Sequence, residues 1–345
     1  MKRFISAALC ALMILGLTSC EQQTDEAPQV EPAPPFSVLD DVIEGRRDIY
    51  VIVKNLESSY WQVIIEGARD SSDKYGCNVY CSGSYSETDW ESQSRLLDEA
   101  VAAGADAIIL APDDSVKLSD KIDEVYATGT KVVLIDTAAN TENYDICFMT
   151  DNLMAGQQAA AEMIRQLYAK GHDDSEKLKV GIQVGSPSSQ TISERIAGFL
   201  QYWKNNAPPN WEVIHDIKCN YGDLDKASEC ATELLEGYPD ICGVFGTNNG
   251  SAVGFAKEVR AAGRTDVVVV GFDYSPEMAE LISSEKYTAS TVLQRQYDMT
   301  NRGIGTALEL LDGADIENKF IDTGIVVVSR ETLDDPDVKE ILSHN

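Results

Sequence analysis

Residues 51–79 read VIVKNLESSYWQVIIEGARDSSDKYGCNV. An unbroken apolar run ends at Lys54, a polar loop carrying Tyr60 and Trp61 follows, and an amphipathic stretch then leads to Gly76 and a second apolar run. Apolar runs without alternation mark strands buried on both faces, and the helical spacing between them supplies the crossover, so this segment is a β-α-β unit with parallel strands. The same alternation repeats along the chain. Strands are expected at 49–54, 78–82, 107–111, 131–135 and 146–149, and again at 180–184, 212–218, 243–246, 267–270 and 288–293. Helices are expected at 61–74, 90–103, 118–128, 152–168, 192–204, 226–235, 252–262 and 299–311. Leu96, Leu97, Ala100 and Val101 show the i, i+3, i+4 pattern of a helix with one face on a sheet. Gly104, Gly129 and Gly263 stand where left-handed helix stops are wanted. The sum is an α/β protein of two five-strand units.

The amino terminus sets the compartment. Lys2 and Arg3 precede an apolar run from Phe4 to Leu17. That run is shorter than the ~20 residues of a membrane-spanning helix, so it reads as an export signal. It stops at Leu17-Thr18-Ser19-Cys20, which resembles a bacterial lipobox with Cys20 as the lipidation site. Residues 1–19 are then the lipoprotein signal peptide, and 20–47 a lipidated cysteine with a flexible acidic linker bearing Pro28, Pro32, Pro34 and Pro35. Two or more acyl chains give stable anchoring, which places the body outside the cytoplasm on the bacterial cell membrane.

The 57 acidic against 28 basic residues give a formal net charge of −29. With no basic cluster after the signal, nucleic acid is excluded as a partner and contact with anionic lipid falls to the acyl chains. Beyond Cys10 and Cys20 there are six cysteines: Cys77, Cys81, Cys147, Cys219, Cys230 and Cys242. Cys77 and Cys81 cannot bridge within one strand, since four residues span ~13 Å and a disulfide needs Cα atoms within ~7 Å. Buried free thiols are the expectation for most of the six. No spacing supports a metal site, and no cofactor is expected.

In open α/β sheets ligands collect beyond the carboxyl ends of the strands. Those ends carry Lys54-Asn55, Pro112-Asp113-Asp114, Asp136-Thr137, Ser186 to Ser189, Thr247-Asn248-Asn249, Asp273 and Gln294. Carboxylates, amides and hydroxyls beside flat aromatics suit a polyhydroxylated ligand. Motifs for phosphate binding, a nucleophile elbow or a zinc protease are missing, and the carboxylate pair Asp113-Asp114 reads as a turn, so the chain is expected not to be an enzyme.

Seven segments in order, among them VIVKNLESSYWQVIIEGARDSSDKYGCNV, DAIILAPDD, KVVLIDT, TDNLMAGQQAA and VVVVGFDYSPE, carry a resemblance over about residues 48–330. The chain resembles the type I periplasmic substrate-binding proteins of the ribose and galactose kind, which feed ABC importers. The resemblance implies two Rossmann-like lobes, each a parallel sheet flanked by helices. The N-terminal lobe would be 48–150 plus 295–322 and the C-terminal lobe 151–294 plus 323–335, joined by three crossovers near Met149–Asp151, Gln294–Gln296 and Asp322. It implies ligand contacts from Lys54, Ser58, Tyr60, Trp61, Asp136, Thr137, Ser193, Asn248, Asp273 and Gln294. The ligand would be a monosaccharide, polyol or related polar molecule, the partner an ABC permease, and the receptor a monomer. The same fold also serves as the sensing subunit of a chemoreceptor or histidine kinase. Thr137 and Ser193 stand where ribose binders hold arginines, and Ala111 where they hold an asparagine. Plain ribose is therefore disfavoured. Lys54, at a position usually small and polar, is expected to replace lost positive charge and to bind a ring oxygen or an acidic group.

Overall fold

The computed structural model describes residues 32–186 and 189–344. Cys20, the signal segment, Pro187 and Ser188 lie outside the described residues. Two sheets organise the chain. The first contains β1 (Ser37–Val38), β2 (Asp48–Val53), β3 (Asn78–Gly83), β4 (Ala107–Leu110), β5 (Lys131–Ile135), β6 (Ile146–Met149) and β13 (Phe320–Asp322), in the order β1-β3-β2-β4-β5-β6-β13. The second contains β7 (Leu178–Val184), β8 (Trp211–Val213), β9 (Lys218–Cys219), β10 (Ile241–Gly246), β11 (Val268–Phe272), β12 (Thr288–Gln294) and β14 (Ile325–Ser329). Its order is β14-β12-β11-β10-β7-β8, with β9 also on β7. The order reverses at β2 in one sheet and at β7 in the other, and open α/β sheets bind ligands at such switch points.

The helices are α1 (Ser59–Tyr75), α2 (Trp90–Ala103), α3 (Ser119–Ala127), α4 (Asn152–Ala169), α5 (Gln190–Asn206), α6 (Leu224–Gly237), α7 (Asn249–Ala261), α8 (Pro276–Ser283), α9 (Gln296–Leu311) and α10 (Pro336–Leu342). Strands β4, β6, β10 and β11 are buried along their whole length because helices cover both faces. Core clusters lie on either face of each sheet, Ile64, Val51, Ile109 and Phe148 in one, Phe199, Phe245 and Phe272 in another. Gly104, Gly129 and Gly263 do end helices, with φ of 88°, 89° and 63°.

The chain passes between the sheets three times. β6 ends at Met149 and α4 packs on the second sheet; β12 ends at Gln294 and α9 returns to the first; β13 ends at Asp322 and β14 joins the second at Ile325. The result is the two-lobed α/β architecture.

Three expectations need correction. The expected strand 212–218 is two short strands, β8 and β9, both parallel to β7 at different heights and separated by a turn in which Ile217 N–H donates to the His215 carbonyl. The terminal strands β13 and β14 and the short helices α8 and α10 were not expected. Packed structure also begins before Asp48: β1 pairs antiparallel with β3, Ser82 Oγ donates to the Pro34 carbonyl, and the Phe36 ring meets Tyr50 edge-on at 4.8 Å. The physical reason is that β3 would otherwise present an unpaired sheet edge, which β1 covers. All six cysteines among the described residues are free, five of them buried. Burial pushes the Cys81 and Cys147 thiols up to about 12.

Candidate functional site

Carboxyl ends of strands from both lobes converge on one cleft of about 550 Å³, within the range of small-molecule pockets. On the first lobe, Asp136 follows β5 with a left-handed backbone, φ 63°, and its N–H donates to the Phe148 carbonyl of β6 at 2.9 Å. Its carboxylate accepts from Tyr60 Oη at 2.5 Å, Lys54 Nζ at 2.8 Å and Thr137 Oγ1 at 2.7 Å. Lys54 Nζ also donates to Thr137 Oγ1 at 2.6 Å. Burial alone pushes the Asp136 carboxyl up, but the Lys54 charge and these bonds outweigh it and hold the group below the ordinary carboxylate range. Tyr60 and Trp61, at the start of α1, pack edge-to-face at 4.8 Å, with the Trp61 indole N–H on Glu87 Oε1 at 2.8 Å. Both rings are buried in the lobe core and line the cleft. Burial, then the nearby Asp136 and Asp273, push the Tyr60 hydroxyl well above its ordinary value.

On the second lobe, Asp273 follows β11 with φ 65°, and its N–H donates to Val292 O of β12 at 2.9 Å. Its carboxylate accepts from Gln294 Nε2 at 2.9 Å. Gln294 Oε1 in turn accepts from Arg195, whose guanidinium also donates to Asn152 Oδ1 and to the Thr247 carbonyl at 2.8 and 2.9 Å. Burial pushes Asp273 up to about 7; Arg195 and Gln294 moderate the shift, while Asp136 and Glu87 add to it. Helix α5 holds Arg195 here because α4 and α5 pack backbone to backbone: a Cβ on Gly156 would stand 2.1 Å from the Arg195 carbonyl. Asn248 caps α7, its Oδ1 accepting from Ser251 N–H and Oγ.

The structure brings together Lys54, Ser58, Tyr60, Trp61, Asp136, Asn248, Asp273 and Gln294 around the cleft. Thr137 sits fully buried behind Asp136 and bonds Lys54 and Asp136 rather than lining the space. Ser193 is exposed on α5, with its hydroxyl on the Ser189 carbonyl, and is not part of the cleft wall. Arg195, two residues further along α5, lines the cleft instead. Lys54 Nζ spends two of its three donors on Asp136 and Thr137 and still lines the cleft. Glu87 and Asp113 also line the cleft. The strand-end position flagged Asp113, but its orientation rests on Gln93, whose side-chain carbonyl accepts the Asp113 N–H from 20 residues earlier in the chain. Among the described residues no group of three His, Cys, Asp or Glu is placed to hold a metal ion, and no helix is long and apolar enough to cross a membrane.

Two α/β lobes joined by three crossovers, with polar strand ends facing one cleft, define a hinged receptor for a small solute. Residues 49–315 match the family model of the periplasmic binding protein domain, and the chain belongs to that family. It is 27% identical over 297 residues to the ribose import binding protein of Bacillus subtilis (strain 168), covering 85% of this chain and 88% of that one. It is 25% identical over 329 residues to a D-ribose/D-allose-binding protein of Pseudomonas aeruginosa, covering 92% and 95%. Among solved structures, a carbohydrate transporter solute-binding protein from Agrobacterium radiobacter in complex with D-arabinose superposes with a TM-score of 0.81 at 28% identity, covering 87% of this chain and 99% of that one. An ABC transporter solute-binding protein from Agrobacterium vitis with bound D-fucose gives 0.77 at 28% identity, covering 85% and 98%. These relatives are substrate-binding proteins, and the chain is a binding protein, not an enzyme.

Proposed function

We propose that the protein captures a monosaccharide or related polyhydroxylated molecule in the interlobe cleft and delivers it, as a monomer, to an ABC permease. The observation that carries this reading is the pair of buried aspartates, Asp136 and Asp273, facing one cleft from matching strand ends of the two lobes with Tyr60 and Trp61 beside them. Carboxylates accept from adjacent ligand hydroxyls, and ring faces pack on sugar C–H groups. The relatives' sugar ligands support the same class. Residues 48–150 with 295–322 and 151–294 with 323–335 are the two jaws in this reading, and rotation about the three crossovers closes them. Lipidation at Cys20 holds the receptor at the outer face of the membrane.

A thermal-shift panel of pentoses, hexoses, polyols and sugar acids tests the ligand class, because a ligand bound only by the folded state raises the melting point. At least one neutral sugar or polyol, or its amine, is expected to stabilise the protein, and Asp136→Ala and Asp273→Ala to abolish that stabilisation. Unchanged binding in both variants removes the site. Cys20→Ala is expected to release the exported protein from membranes; retention contradicts the anchor.

A further inference from the structure

Asp113 stands at the carboxyl end of β4, in a turn that is clamped from behind. Gln93, fully buried, accepts from the Asp113 N–H at 2.8 Å and donates to the Ala111 carbonyl at 2.8 Å. The turn backbone is therefore held in place, and Asp113 lines the cleft from it. It is only 6% exposed, yet neither of its oxygens meets a hydrogen-bond partner among the described residues. The other two buried cleft carboxyls differ: Asp136 is bonded by Lys54, Tyr60 and Thr137, and Asp273 by Gln294. Lys54, whose charge reaches Asp113, makes its bonds to Asp136 and Thr137. Leaving a buried acceptor unpaired is unfavourable, and more so when it is charged. Burial is what pushes this carboxyl well above its ordinary value; Lys54 opposes the shift, while Glu87, Asp89 and Asp114 add to it.

Building on the sugar-receptor reading above, we propose that Asp113 is a ligand-contacting specificity residue, and that the ligand carries a protonated amine beside its hydroxyls, as an amino sugar or aminated polyol does. An ammonium is donor-only, with three N–H groups for the two open oxygens. A neutral hydroxyl gives one donor and brings a lone pair into a region that holds three further carboxyls, Glu87, Asp89 and Asp114, against the one ammonium of Lys54. A cation is favoured there and returns Asp113 to its carboxylate form, giving a charge-assisted bond of roughly twice the strength of a neutral one. An acidic ligand is rejected by the same charges.

Calorimetric titration of the full-length protein in detergent, with aldoses each matched to its 2-amino-2-deoxy counterpart, tests this. In the wild type at least one amine is expected to bind ten-fold or more tighter than its parent. Asp113→Asn is expected to lower amine affinity ten-fold or more and to reduce the amine-over-parent preference to within three-fold; Asp113→Ser serves if the amide variant melts non-cooperatively, and the wild-type comparison needs no variant. Parents that bind as tightly as their amines, or a variant that weakens both series alike, overturn the proposal. If neutral sugars alone bind, the amine assignment falls and the sugar-receptor reading stands. If nothing in either series binds, both fall.

Discussion

Asp136 and Asp273 occupy matching places in the two lobes. Each follows a central strand, each has a left-handed backbone, 63° and 65°, and each donates its N–H to the next strand's carbonyl at 2.9 Å. Left-handed conformations strain non-glycine residues, and Asp tolerates them better than most. Their charge states nevertheless diverge. Asp136 has a direct ammonium partner and is held low; Asp273 has an amide, with its guanidinium one bond further back, and rises to about 7. The difference teaches that backbone geometry sets where a cleft carboxyl points, while the first polar neighbour sets its charge.

The largest effect expected from breaking this contrast is at Lys54. Lys54→Met leaves Asp136 buried without its cation, which costs about 3–5 kcal/mol. Denaturant unfolding checks this, and adding Asp136→Asn in the double variant is expected to restore most of the loss. Asp273→Asn acts in the opposite direction. A carboxyl whose folded value is raised favours the protonated form, so wild-type stability falls as pH rises from about 4 through about 7. The amide removes that fall: the variant is expected to exceed wild type by on the order of 4 kcal/mol at pH 8, and the gap to vanish near pH 4. A gap that persists at pH 4 contradicts the assignment. Gly185→Ala perturbs only the second lobe, because its Cβ would stand 2.6 Å from Asn248 Nδ2. A loss of about 1–3 kcal/mol, with weaker ligand-induced stabilisation, is expected from thermal melts. Ser193→Ala, away from the cleft wall, is expected to change stability by less than about 0.5 kcal/mol and binding not at all.

The legibility of these features from sequence follows physical distance. Parallel strands buried on both faces announce themselves as apolar runs, and the residue after each run is fixed near the cleft. Lys54, Asp136, Asn248, Asp273 and Gln294 were therefore readable one by one. Ser193 was misplaced by helical phase: two residues turn a helix by about 200°, so 193 and 195 face opposite ways, and only the crossing of α4 on α5 decides which faces in. The commitment of Lys54 was hidden because its partners lie 82 and 83 residues away. The short strand β1 was hidden because proline-rich composition signals a tether, whereas the unpaired edge of β3 makes even two residues worth ordering.

That short strand also has a mechanical meaning. Near the amino-terminal end of the described residues, Ser37, Val38 and Leu39 are stitched to β3 along the outer edge of the first sheet. A leash attached there loads the first lobe directly and reaches the second only through the three crossovers. If the proposed Cys20 anchor holds the receptor and the lobes close as proposed, the first lobe would be the stationary jaw and the second the one that swings.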